Sequence, residues 1–149
     1  QARDDQSHAC HDQARAERFY FEALGLRLSD RIPGKATFMN GTTGDHHVFG
    51  VVVAGGPGLH HAAWEMDTID AIVVGSEQMV RHGYTDSWGL GRHNLGSNYF
   101  HYFRGPRNLW FEYSCDIDQV TQAWEPHDYE VKPWAWGPPA PADFTDNDA

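Results

Sequence analysis

Apolar and polar positions along this chain follow two periods, helical and strand-like, and the two alternate in an order that occurs twice. Residues 7–10 read as a short strand. Asp12 then opens a helix to residue 24, because Ala16, Phe19, Tyr20, Ala23 and Leu24 recur at helical spacing. Gly25 is placed to end it in a left-handed conformation. Three strand-like runs follow at 26–32, 35–40 and 46–53, separated by Pro33-Gly34 and by Gly41-Thr42-Thr43-Gly44. After Gly55-Gly56-Pro57-Gly58 the order restarts. Residues 59–66 form a strand, and Asp67 caps a helix with Ile69, Ile72, Val73, Met79 and Val80 on one face, ended at Gly83. Strands at 87–93, 99–104 and 109–115 complete the unit.

The chain is thus an α+β fold of two tandem βαβββ modules, about 7–54 and 58–116, forming one domain over 1–116. Repeats of this size pack on one another, which would bring the two first strands together about a pseudo-twofold. Residues 117–149 lack either period. Trp124, Trp134 and Trp136 among five prolines predict an extended segment wrapped over the body with its tryptophans on apolar surface, followed by an acidic end.

Composition narrows the partners. A formal charge of −10 without any Lys/Arg cluster argues against nucleic acid and against an anionic membrane surface, leaving a small molecule as the expected partner. Two unpatterned cysteines, Cys10 and Cys115, predict a reducing, cytoplasmic setting rather than a disulfide framework. No apolar run approaches the roughly 18 residues of a membrane span. The chain opens on Gln1 rather than Met, as expected of a piece of a longer product. Ten histidines accompany twenty Phe, Tyr and Trp residues, which fits an aromatic pocket or a metal site.

Strand parity sorts these residues. Residues 61, 63 and 65 share one face and 60, 62 and 64 the other, so only one of His60 and His61 is expected to face a given cavity. Glu112 stands among Leu109, Trp110, Phe111 and Tyr113 with no basic residue beside it in the run. A buried carboxylate there needs a positive partner, which makes a metal ion a candidate; the alternative is a solvent-facing Glu on a half-buried strand. One histidine from each first strand and a carboxylate from a last strand would form a two-His, one-carboxylate site with open positions, the ligand set of non-haem Fe(II) oxygenases.

Leu59-His60-His61, Gly91-Arg92-His93 and Tyr102-Phe103-Arg104-Gly105-Pro106 leading to Glu112-Tyr113 resemble the catalytic domain of type I extradiol ring-cleavage dioxygenases of the vicinal oxygen chelate superfamily. The resemblance runs over nearly the whole chain. It implies an Fe(II) centre, with Mn(II) also accepted, that opens a catechol ring with O2 (meta cleavage). It further implies His61 and Glu112 as metal ligands, and His8 as the third, with His11 as its alternative. His46 is implied as an acid/base and substrate-binding residue, and His93 and Tyr102 as hydrogen-bonding the substrate oxygens. The chain departs from the family pattern at His101, Gly105 and Asn108, none of them a ligand. The two-domain members carry a further domain of similar architecture ahead of this one. A glyoxalase- or epimerase-like metalloenzyme and a metal-free binding module are the competing readings. His47 and His60 have the opposite parity to His46 and His61 and read as packing or surface residues. His82 sits at a helix end, His127 in the tail, and His101 is open. The aromatic tail also predicts a homo-oligomer.

Overall fold

The structure, a computed structural model, describes the backbone of residues 4–130 and 134–144, and side chains from residue 10 onward within those spans. The first module comprises β1 (Asp4–Cys10), α1 (Gln13–Leu24), β2 (Arg27–Ile32), β3 (Ala36–Asn40) and β4 (Phe49–Val53). The second comprises β5 (Gly58–Glu65), α2 (Ile69–Arg81), β6 (Ser87–His93), β7 (Tyr99–Arg104) and β8 (Trp110–Cys115). Two tail strands, β9 (His127–Asp128) and β10 (Trp134–Trp136), follow.

All ten strands join one sheet in the order β10-β6-β7-β8-β5-β1-β4-β3-β2-β9. Each module has its first strand parallel to its last, with the two middle strands beyond it. The antiparallel β1–β5 pair joins the halves at the centre. The tail reaches both edges, since β9 pairs with β2 and β10 with β6. Laid flat, the edge strands β9 and β10 would be roughly 43 Å apart at about 4.8 Å per strand. The six steps from residue 128 to 134 span at most ~22 Å, so the sheet curls until its edges approach.

Capping chemistry sets the helix ends. The Asp12 side chain accepts from Arg15 N, and Gly25 closes α1 at φ 68°. In α2 the cap is Thr68 rather than Asp67, its hydroxyl accepting from Ala71 N. The buried stripe of α2 also differs from the apolar count. Ile72 and Ser76 face the sheet, whereas Val73 and Val80 face outward. Ser76 takes an inward position because its hydroxyl is satisfied there by Ile72 O and His101 Nδ1, both within 2.8 Å. That contact places His101 on the helix-covered face, stacked on Phe103, with burial lowering its pKa.

The tail tryptophans divide between two tasks. Trp124 donates to Ser29 O at 2.9 Å and meets His46 edge-on, and Trp134 packs against Trp88. Trp136 stays 47% exposed. Among the described residues no helix is long and apolar enough to cross a membrane.

Candidate metal centre

The ladders of β5, β7 and β8 place the chemistry. Tyr102 is paired with Glu112, Glu112 with Ala63, and Trp110 with His61. Paired residues share a face, and residues two apart along a strand return to it. One face therefore carries His61, Ala63, Trp88, Tyr102, Trp110 and Glu112. On it, His61 Nε2 lies 3.4 Å from Glu112 Oε2, and His93 Nε2 lies 3.7 Å from Glu112 Oε1 and 3.2 Å from the Tyr102 hydroxyl. His93 stacks on Phe100 at 4.1 Å, which fixes its ring plane. Glu112 is 3% exposed. A carboxylate so buried, approached by the His61 and His93 rings and by the Asn98 amide, calls for a positive partner.

A bulge modifies the parity argument for the His60-His61 pair. Ser7 pairs with His61 and His8 with Leu59, so His60 is the extra residue on β5. The two rings consequently come together, Nδ1 to Nδ1 at 2.6 Å, instead of pointing to opposite faces. Both are buried. Burial lowers His60 to about 4, and burial followed by the neighbouring His60, His93 and His47 rings holds His61 well below the usual histidine range. The neutral imidazole is the form that ligates metals.

The first-strand histidine is placed by backbone only. His8 lies on β1 next to the strand that carries His61, and its side chain falls outside the described residues. His11, its alternative, is exposed between β1 and α1.

His46 and His47 precede β4 and so escape strand parity. His46 is fully buried, with Nε2 at 2.7 Å from Asp30 Oδ2 and Nδ1 at 2.8 Å from His47 Nδ1. Its carbonyl accepts from the Ser29 hydroxyl and its N–H donates to Asp118 O. His47 is the member of the pair that lines the cavity beside Glu112, with Asp45, Ala63, Asn98 and Ser114. Gly96 makes this possible: a Cβ there would sit 2.9 Å from His47 Cε1, and its φ of 77° is left-handed. Gly96→Ala should therefore lower stability by ~1–2 kcal/mol from backbone strain alone and displace His47. Thermal melting of the variant, together with its turnover, checks both effects.

Sequence reasoning missed several members of the site. Phe144, from the tail, enters an aromatic cluster of Trp88, Phe100, Tyr102 and Trp110, at ring distances of 4.6 Å to Trp88, 5.0 Å to Tyr102 and 4.9 Å to His60. Arg104 anchors that end through Asp143 at 2.8 Å. Asp30 and Asn98 carry no sequence signal for the site, and His47 reads by parity as a packing or surface residue. At the departure from the family pattern at Gly105, a Cβ would stand 2.3 Å from Phe111, so that ring occupies the space a larger residue would need.

The donor set fits a divalent metal. Two ligands bound at right angles at about 2.1 Å are ~3 Å apart, close to the His61–Glu112 separation, and neutral imidazole with carboxylate suits iron and manganese. Among the described residues there is no complete set of three such side chains.

The family model described as Glyoxalase/Bleomycin resistance protein/Dioxygenase superfamily matches residues 8–113. Metapyrocatechase 2 from Cupriavidus necator is 44% identical over 138 residues, which cover 89% of this chain and 43% of the relative. The chain therefore spans less than half the length of that curated relative. Among solved structures, a halotolerant catechol dioxygenase, BphC, is 24% identical with a TM-score of 0.80, covering 89% of this chain and 46% of that one. The Mn(II)-bound glyoxalase from Novosphingobium aromaticivorans is 25% identical with a TM-score of 0.77, covering 92% and 49%. A variant of homoprotocatechuate 2,3-dioxygenase from B. fuscum is 20% identical with a TM-score of 0.82, covering 94% and 42%.

Proposed function

Since the chain belongs to the glyoxalase/bleomycin resistance protein/dioxygenase superfamily, we propose that its cavity is the metal centre of an extradiol dioxygenase that opens a catechol ring by meta cleavage with O2. The observation that carries the reading is the convergence of His61, His93, Tyr102 and Glu112 on one buried face, in a chain 44% identical to a metapyrocatechase. His61 and Glu112 are the proposed ligands, with His8 as the third and Fe(II) as the metal, Mn(II) being the other ion this set accepts. The metal would supply Lewis acidity toward the two adjacent catechol oxygens and a redox partner for O2.

The chain's own residues bind, orient and move protons. His93 Nε2 and the Tyr102 hydroxyl are already hydrogen-bonded at 3.2 Å and offer a linked donor and acceptor to a substrate oxygen beside Glu112. Imidazole titrates near neutrality and so suits the proton transfers of ring opening. The resemblance gives that role to His46. In the structure the ring on the cavity is His47, hydrogen-bonded to His46, so the two histidines are proposed as one proton-handling unit. Asp30 accepts from His46 Nε2, which leaves His46 Nδ1 to accept from His47 Nδ1. Trp88, Phe100, Trp110 and Phe144 wall off the Tyr102 side and keep it dry.

Anaerobic loading with Fe(II), addition of a panel of catechols and admission of air test the reading. O2 uptake with a yellow ring-opened product is expected. The glyoxalase-like alternative has the Mn(II)-bound structural neighbour in its favour. Activity on a thiohemiacetal without O2 consumption on any catechol would establish it instead. Tyr102→Phe should keep the metal and reduce kcat about 10-fold to 100-fold, since it removes one hydrogen bond to the reacting oxygens; metal content and steady-state rates check this.

A further inference from the structure

We propose that Asn98 is a positioning residue of this centre: its amide nitrogen holds one oxygen of Glu112, and its amide oxygen accepts a hydrogen bond from an O–H group in the cavity. The proposal rests on the reading of that cavity as a metal centre. The O–H group is either a water or a catechol hydroxyl.

Asn98 is 3% exposed and lines the cavity with His47, Ala63 and Glu112. Its Nδ2 points to Glu112 Oε1 at 3.4 Å and to Tyr99 O at 3.5 Å, both at the long end of hydrogen bonding. The carboxylate can only accept, so the nitrogen must face it, and the amide cannot be turned without setting two oxygens against each other. That fixes the other end. Asn98 Oδ1 is buried and has no hydrogen-bond partner among the described residues. An unpartnered buried acceptor costs ~1–3 kcal/mol, a cost with no structural return unless something in the cavity donates to it. The cavity has room for such a donor, with about 40 Å³, enough for a water.

The backbone holds Asn98 in place for this task. It closes the turn from β6 to β7 with its carbonyl accepting from His93 N at 2.9 Å, so it is tied to the substrate-side histidine. Gly96 O in the same turn accepts from Asp118 N at 2.8 Å. The split is useful for the ligand: with Oε1 engaged by Asn98, Oε2 is the oxygen nearer His61 Nε2, where a shared ion would sit. Groups that orient a ligating carboxylate in this way contribute about 10–100-fold in metal affinity.

The test compares wild type with Asn98→Leu and Asn98→Ala. Leucine keeps the volume and removes both polar atoms, so it guards against collapse of the alanine variant. Three quantities are read: melting temperature without metal, Mn(II) affinity by calorimetry without catechol, and KM and kcat on catechol after Fe(II) loading. The expected result is an N98L protein that melts no lower than wild type without metal, yet binds Mn(II) about tenfold or more weakly. A raised KM in addition assigns the O–H group to the catechol; an unchanged KM assigns it to water. Wild-type Mn(II) affinity in both variants would overturn the proposal. So would a fall in the metal-free melting temperature that accounts for the loss of affinity, since that is a structural role. If wild type binds Mn(II) but cleaves no catechol, the dioxygenase reading fails while the Asn98 effect on Mn(II) is still measured. If wild type cleaves catechol and N98L binds Mn(II) and cleaves catechol equally well, only the Asn98 proposal fails.

Discussion

Replacing Glu112 by glutamine is expected to strip the chain of its affinity for Fe(II) and Mn(II) while leaving it folded. Glutamine has the shape of the carboxylate it replaces, and the surrounding packing of Trp110, Tyr102 and Ala63 asks for that shape. What it lacks is the negative charge. In a site this buried the charge supplies much of the attraction for a divalent ion, because little water competes for it. Loss of a ligating carboxylate should exceed the effect of losing an orienting group, so Kd is expected to rise on the order of 10³-fold or more, about 4 kcal/mol. The metal-free protein should melt at or above the wild-type temperature, since a buried carboxylate beside neutral imidazoles is a cost that glutamine removes. Metal content after dialysis and the melting temperature with and without Mn(II) measure the two effects separately. An E112Q protein that retained one Fe(II) per chain would remove Glu112 from the ligand set. His61→Ala should lose the metal as well, but by opening space next to Tyr102 and Phe144 it tests the ligand less cleanly.

The parts of this centre that were legible in the sequence are those set by regular strands. Period-two alternation puts Glu112 on the face of Trp110, and the uninterrupted register between β7 and β8 carries Tyr102, which only the family resemblance singles out, opposite Glu112. Alternation failed where the backbone is irregular. The bulge at His60 turns two adjacent rings toward each other, and nothing in Leu59-His60-His61 announces it. His46 and His47 lie before β4, and their orientation is decided by Asp30 on β2 and by Asp118 in the tail. Those partners are 16 and 72 residues from His46, beyond any local pattern. Phe144 was illegible for the same reason. It reaches Trp88 and Tyr102 because the tail follows the curl of the sheet from one edge to the other, and that curl belongs to ten strands together. Val73 and Val80 show the opposite error, where hydrophobicity suggested burial and the hydroxyl of Ser76 had the better partners.

The second large effect is expected at the paired histidines, where His46→Ala and His47→Ala should each slow turnover while sparing the metal. General acid/base groups contribute about 10²–10⁴-fold, and removal of His47, the ring that lines the cavity, should cost that much. His46 does not reach the cavity as a lining residue, yet its removal should cost a similar factor. It fixes the tautomer of His47: Asp30 accepts the hydrogen bond from His46 Nε2–H, so the Nδ1 of a neutral His46 accepts from His47 Nδ1–H, and His47 Nε2 is the nitrogen without a proton. Groups that act as one unit are not additive, so the double variant should be no slower than the slower single variant. Multiplication of the two effects in the double variant would show that the rings work independently. Loss of iron from His46→Ala would place His46 among the ligands, and the assignment of His61 with Glu112 and a β1 histidine would then have to be redrawn. Asp30→Asn separates orientation from chemistry, because it keeps the volume against His46 and leaves one acceptor oxygen for the two donors, His46 Nε2 and His127 N, that the carboxylate serves. Its kcat should fall with metal content unchanged, and adding it to His46→Ala should cost nothing further.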